Sequence, residues 1–101
     1  MSAQNEVFVK EFNADMGELS INVAGSKHWK RFAASQIAEI KKNNIEQKKL
    51  FGKKSVQRLE IVVDGDESTY IIQKDKFKDD FEWVEDVLKK FAEKNKITFE
   101  G

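Results

Sequence analysis

The strongest constraint in this chain is a run of three patterns that follow one another without a break. Leu59, Ile61 and Val63 alternate with Glu60 and Val62, the segment Asp64-Gly65-Asp66-Glu67-Ser68 reverses the chain, and Tyr70 and Ile72 alternate again. A period of two marks a strand with one buried face, and the carboxylate-glycine turn joins the two strands as a hairpin. Phe77, Phe81, Val84, Leu88 and Phe91 then recur at helical spacing, with Trp83 at the edge of the stripe. That spacing predicts one amphipathic helix over about residues 76 to 94.

The charges along this segment agree with the helix. Asp75 or Asp79 can cap its start, Asp80, Glu82, Glu85 and Asp86 load its first turns, and Lys89, Lys90 and Lys94 load its last. Both distributions favour the helix dipole. Glu85 and Lys89, like Asp86 and Lys90, are spaced to pair one turn apart. Ile97 and Phe99 predict a short strand or packed tail behind the helix.

Upstream, Val7 and Val9 with Phe8 and Phe12 read as a first strand with both faces partly buried. Residues 13–17 turn the chain, Leu19, Ile21 and Val23 alternate as a second strand, and residues 28–32 form a third. Residues 33–42 read either as a helical turn or as a short turn followed by a strand from near Ala38, and the strand is preferred. Ile37 and Ile40 carry the helical reading, but the spacing decays into Lys41-Lys42-Asn43-Asn44. Residues 43–54 then read as a long basic loop centred on Leu50-Phe51 and broken by Gly52, with Val56 leading into the next strand.

A chain of 101 residues with 40% hydrophobic content supports one domain spanning residues 1–101. The absence of Cys excludes disulfides and thiolate metal sites. No apolar run reaches the roughly 18 residues of a membrane span, and residues 1–6 lack a signal-peptide pattern. A cytoplasmic location is expected. The net charge of zero conceals segregation. Residues 27–58 hold ten basic residues against two acidic ones, and residues 64–86 hold nine acidic residues against three lysines. The molecule is polarised unless the basic block folds back on the acidic one.

The order of elements, several antiparallel strands and then a closing helix with a Trp, resembles a pleckstrin-homology-like domain. Two stretches carry the resemblance. Phe32-Ala33-Ala34-Ser35-Gln36-Ile37-Ala38-Glu39-Ile40-Lys41 is similar to the segment of bacterial members in which two aliphatics three apart introduce a strand. Asp79-Asp80-Phe81-Glu82-Trp83-Val84-Glu85-Asp86-Val87-Leu88 is similar to the family's closing helix. The resemblance implies an α+β fold, an antiparallel, strongly bent sheet or partly open barrel closed by the C-terminal helix, and an inclination toward binding. Members that bind phosphoinositides carry bases in the loop between the first two strands, whereas residues 13–17 hold none. The family's lipid site is therefore in doubt here. The stretch Ile72-Gln73-Lys74-Asp75-Lys76-Phe77-Lys78-Asp79-Asp80-Phe81 also resembles the entry into the helix of a nucleic-acid-binding PUR repeat. That second resemblance leaves the basic loop and the Ile37/Ile40 spacing unexplained.

Candidate sites are few. His28, the sole histidine, lacks cysteine or an acidic pair nearby for zinc and reads as a surface residue. Asp64, Asp66 and Glu67 crowd oxygen ligands but lack the longer series of a calcium loop. No nucleophile-base arrangement or glycine-rich phosphate loop appears, so neither an enzyme nor a cofactor is expected. The least ordinary feature is the basic segment, where Lys41, Lys42, Lys48, Lys49, Lys53, Lys54 and Arg58 surround Leu50 and Phe51. Bases around an aromatic can hold phosphates while the ring stacks or enters a lipid interface. In the plainer alternative, Leu50 and Phe51 belong to the core and the lysines only solubilise a loop. The expected function is a non-catalytic binding or adaptor role through protein contacts. Nucleic-acid or anionic-lipid binding through residues 41–58 is the alternative.

Overall fold

A computed structural model describes residues 5–49, 52–77 and 80–100. The chain forms β1 (Asn5–Ala14), β2 (Glu18–Val23), β3 (Trp29–Ala33), a 3-10 turn (Ala34–Gln36), β4 (Ile37–Lys49), β5 (Gly52–Val63), β6 (Ser68–Gln73), α1 (Phe81–Lys94) and β7 (Thr98–Glu100). The strands make one seven-stranded sheet in the order β3-β2-β1-β6-β5-β4-β7. The α+β class stands, but the sheet is mixed rather than antiparallel. Two antiparallel meanders, β1 to β3 and β4 to β6, are joined along a parallel seam between β1 and β6. The short β7 adds to β4, also in parallel. The parallel seam arises because the first strand of one meander meets the last strand of the other.

The sheet is open, and one connection forces it to curl. Strands β3 and β4 lie five strand positions apart, about 24 Å across a flat sheet. Yet only the three residues Ala34–Gln36 join them, and that link reaches at most about 14 Å when extended. The two ends of the run must therefore approach each other.

Two β-bulges help the sheet to bend, and they also set which residues face inward. The β1–β2 register shifts between Val9 and Glu11, and the β4–β5 register shifts between Ile37 and Glu39. Without a bulge, residues three apart in a strand face opposite sides. The extra residue brings Ile37 and Ile40 to the same side, where both are buried, and it does the same for Val9 and Phe12. The Ile37/Ile40 spacing thus belongs to a bulged strand, entered through the expected short turn.

Inside the curl, Leu19, Ile21, Ile40, Leu59, Ile61 and Ile72 are fully buried. Helix α1 closes it with Phe81, Val84, Leu88, Phe91 and Ala92. The helix begins at Phe81, later than the periodicity predicts, because Phe77 packs into the core from the preceding turn. Asp80 supplies the cap, accepting from the Glu82 amide at 3.1 Å, so Asp75 is not the cap, and Asp79 lies outside the described residues. The Glu85–Lys89 and Asp86–Lys90 pairs form as their spacing predicts, at 3.1 and 3.0 Å. Trp83 is 53% exposed, with its ring 5.7 Å from that of Phe12. Leu88→Ala should therefore cost about 2–5 kcal/mol, and Trp83→Ala, which loses one ring contact, only about 1 kcal/mol. Thermal denaturation of the two variants should preserve this ranking, and a larger loss for Trp83→Ala would contradict it.

Candidate functional site

Residues 43–49 and 52–54, expected to lie in a loop, are strand. Strands β4 and β5 pair without interruption from Asn43↔Arg58 out to Lys49↔Gly52. Gly52 has a φ of 137°, a backbone state that glycine adopts without the penalty of a Cβ. The residue that reads as a break in the sequence thus closes a hairpin. At the root, half-buried Ile45 faces buried Val56, and apolar cross-strand pairs of this kind stabilise a ribbon.

The neighbouring strands stop short of this hairpin. Pairing of β6 with β5 ends at Arg58↔Gln73, and β7 pairs with β4 only from Glu39 to Lys41. Beyond Asn43 and Arg58, no third strand pairs with either edge among the described residues. Some six residues per strand therefore run on as a two-stranded arm about 20 Å long.

The candidate binding residues divide between the root and the arm. At the root, Arg58 is 5% exposed, pairs with Glu6 and lies 3.7 Å from Glu60. Its register partner in β6 is Gln73, and that of Glu6 is Thr69. The ion pair thus crosses the outer face of β6 diagonally, at the level of fully buried Ile71. Asn43 donates to Glu60 at 2.8 Å. Lys41 lies 3.1 Å from Glu39, and its hydrogen bond and charge interaction with that carboxylate raise the ammonium pKa. Lys42, on the helix side, pairs with Glu85 at 2.8 Å. The base of the basic block is therefore folded back onto acidic groups, as the charge balance allows.

The remaining candidates sit on the arm. Lys48, Lys49, Lys53 and Lys54 occupy its last strand positions, with Lys48 directly opposite Lys53 in register and Lys54 exposed. Leu50 and Phe51 lie outside the described residues, as do the side chains of Lys48, Lys49 and Lys53.

Other features expected to be ordinary are found to be structural. Asp66 in the β5–β6 turn accepts from the Ser68 amide at 2.9 Å and from the buried Tyr70 hydroxyl at 2.6 Å. The Tyr70 bond holds the Asp66 carboxyl below its ordinary range, while burial and then Asp66 push the Tyr70 phenol well above its own. Nothing in the turn sequence indicates this pair, because its partner sits on the next strand. Sequence patterning likewise missed Glu6 as the partner of Arg58. His28 is exposed in the β2–β3 turn. Among the described residues no cluster of three possible metal ligands occurs, and no helix is long and apolar enough to cross a membrane. Comparison with protein-family models, curated proteins and solved structures gives no match.

The root pairing has a pH signature. Lys42 first, then Lys89, holds the Glu85 carboxyl below its ordinary range against the opposing effect of burial. A carboxylate depressed in the folded state stabilises the fold above its unfolded pKa, and that contribution is lost as pH falls through the folded value. Thermal melts from neutral pH downward should show this loss in the native chain, and Glu85→Gln should remove part of it. The Asp66 contribution titrates in the same direction and survives in the variant. Identical pH profiles for the two proteins would contradict the pairing.

Proposed function

We propose that this chain is a non-catalytic binding module that works by surface contact. Its contact element is the distal β4–β5 arm, and its complement is an anionic surface on a partner macromolecule. The arm is the observation that carries this reading. Residues 44–57 hold four lysines against Glu46, a balance of +3, so the rest of this neutral chain carries −3. The cations at the root pair with acidic side chains, while the lysines of the arm occupy strand positions beside which no third strand pairs among the described residues. Such a dipole orients an approaching partner toward the end of the arm.

An adaptor that meets an acidic protein surface fits this chemistry, and so do the phosphates of a nucleic acid or a lipid headgroup. A non-catalytic role is favoured because the sole imidazole lies on the surface and the strongly shifted phenol of Tyr70 belongs to a buried structural bond. A cytoplasmic setting and a pleckstrin-homology-like classification are part of the same proposal. The open curled sheet closed by one helix is compatible with that classification.

Reversing the arm's charge tests the reading. The native protein is offered a fluorescent oligonucleotide, polyglutamate and phosphatidylserine vesicles at low salt. At least one should bind, with an affinity that falls steeply as salt rises. The variant carrying Lys48→Glu, Lys49→Glu, Lys53→Glu and Lys54→Glu should bind none of them, with its thermal midpoint little changed. Failure of the native protein to bind any of the three, or undiminished binding by the variant, would overturn the proposal.

A further inference from the structure

We infer that strand β3 is a second docking site, whose occupant is an extended acidic segment of a partner protein that adds to the sheet edge as a further strand. Strand β3 lies at the far end of the sheet order from the arm and pairs with β2 alone, so this site stands or falls apart from the arm's role. The Ala34 amide donates to the Gly17 carbonyl at 2.9 Å, continuing the β2–β3 register by one step. Hydrogen-bonded and non-hydrogen-bonded pairs alternate along an antiparallel ladder. Phe32 and Lys30 therefore bond to β2, whereas the amides and carbonyls of Trp29 and Arg31 point to the open edge. None of these outward groups meets another backbone group among the described residues. The next outward amide, that of Ala33, is held by the Gln36 side chain at 2.8 Å, which closes the row. An open row of this kind is a template for another strand.

The side chains along the row are those of a contact surface. The register puts Trp29 and Arg31 on the outer face with Asn22 and Ser20, while Lys30 and Phe32 share the core side with Ile21 and Leu19. Natural sheets guard their edges with charge, and Lys30 fits that role. Its ammonium lies 3.4 Å from the Tyr70 hydroxyl, which in turn donates to Asp66. Trp29 does not fit it. Its ring is 46% exposed and, with Arg31, Ser20 and Asn13, lines an open cleft on the outer face. Tryptophan and arginine are among the residues that most often anchor protein contacts. The Arg31 side chain is 77% exposed and lies 3.8 Å from Glu18, an exposed pair that contributes little.

Charge selects the occupant. Between Glu18 and Glu39 the chain holds Lys27, Lys30 and Arg31 and no acidic residue. A second copy fits poorly, because pairing β3 with itself about Arg31 or Lys30 sets like charges opposite each other. A nucleic acid answers the charges but leaves the outward backbone carbonyls without donors. An extended acidic polypeptide answers both. Paired antiparallel, the more stable arrangement, it places alternate residues beside Arg31 and Trp29 on the outer face. A carboxylate suits the first position and a large apolar group the second, two residues on. The residue between them stands beside Lys30, which Tyr70 already engages, and is best neutral.

A fluorescent peptide with the core Thr-Glu-Thr-Phe-Thr provides the test. It should bind the native chain, and at about ten times its Kd it should slow hydrogen exchange of the Trp29 and Arg31 amides about tenfold. The Lys30 and Phe32 amides, already bonded to β2, should change far less. N-methylation of the peptide at its Glu removes the donor to the Arg31 carbonyl and keeps every charge, and should weaken binding about tenfold. Arg31→Glu and Trp29→Ala should each weaken it by a similar factor, with thermal midpoints little changed. The variant with all four arm lysines changed to Glu should bind the peptide as the native chain does. No binding by the native chain, equal binding of the N-methylated peptide, or protection spread evenly along β3 would overturn the inference. Loss of binding in the arm variant would also overturn it, by moving the contact to the arm. So would an oligonucleotide that displaces the peptide without protecting Trp29 and Arg31, since the edge would then answer to charge alone.

Discussion

The fold depends on a length constraint. Three residues join strands that stand at opposite ends of a six-strand run, and a chain cannot stretch across a flat sheet of that width. Curvature is therefore imposed by covalent reach, and the bulges at Lys10 and Ala38 supply it where the two meanders turn. Once the sheet is curled, its concave face can surround an aliphatic core. The one helix, with its single apolar stripe, is enough to cover what the curl leaves open. A flat version of the same sheet would expose far more apolar surface than one helix covers.

How much of this was legible depends on whether the governing interaction was local. The β5–β6 hairpin and the core stripe of α1 could be read because strand alternation, helical recurrence and capping are local effects. The helix start was misplaced by five residues because Phe77 fits the stripe but packs from the turn before it. Ile37 and Ile40 were ambiguous for a physical reason, since spacing by three marks either one helical face or a strand with an inserted residue. The parallel seam could not be read at all, because it joins residues more than sixty positions apart.

The segment that carries the proposed contact residues forms paired strands where its composition predicts a loop. Lysine-rich, amide-rich sequence with a glycine lacks the apolar alternation that announces a strand. Here β-structure comes from pairing with a partner strand, anchored at its root by Ile45 and Val56. Nor does composition distinguish a lysine that holds the fold together from one that meets a partner. Arg58, Lys41 and Lys42 belong to internal ion pairs, and only their register and neighbours reveal it.

The parallel seam also bears on the order in which the molecule can be assembled. Strand β1 is made first, yet it finds its β6 partner only after residues 68–71 have been synthesised. The Arg58–Glu6 pair across the outer face of β6 can close no earlier. During translation the first meander therefore waits with one edge unpaired while the second is built. Contacts of such long sequence separation are slow to form. The seam is thus the natural late step of folding, and the ion pair over Ile71 is the clasp that closes behind it.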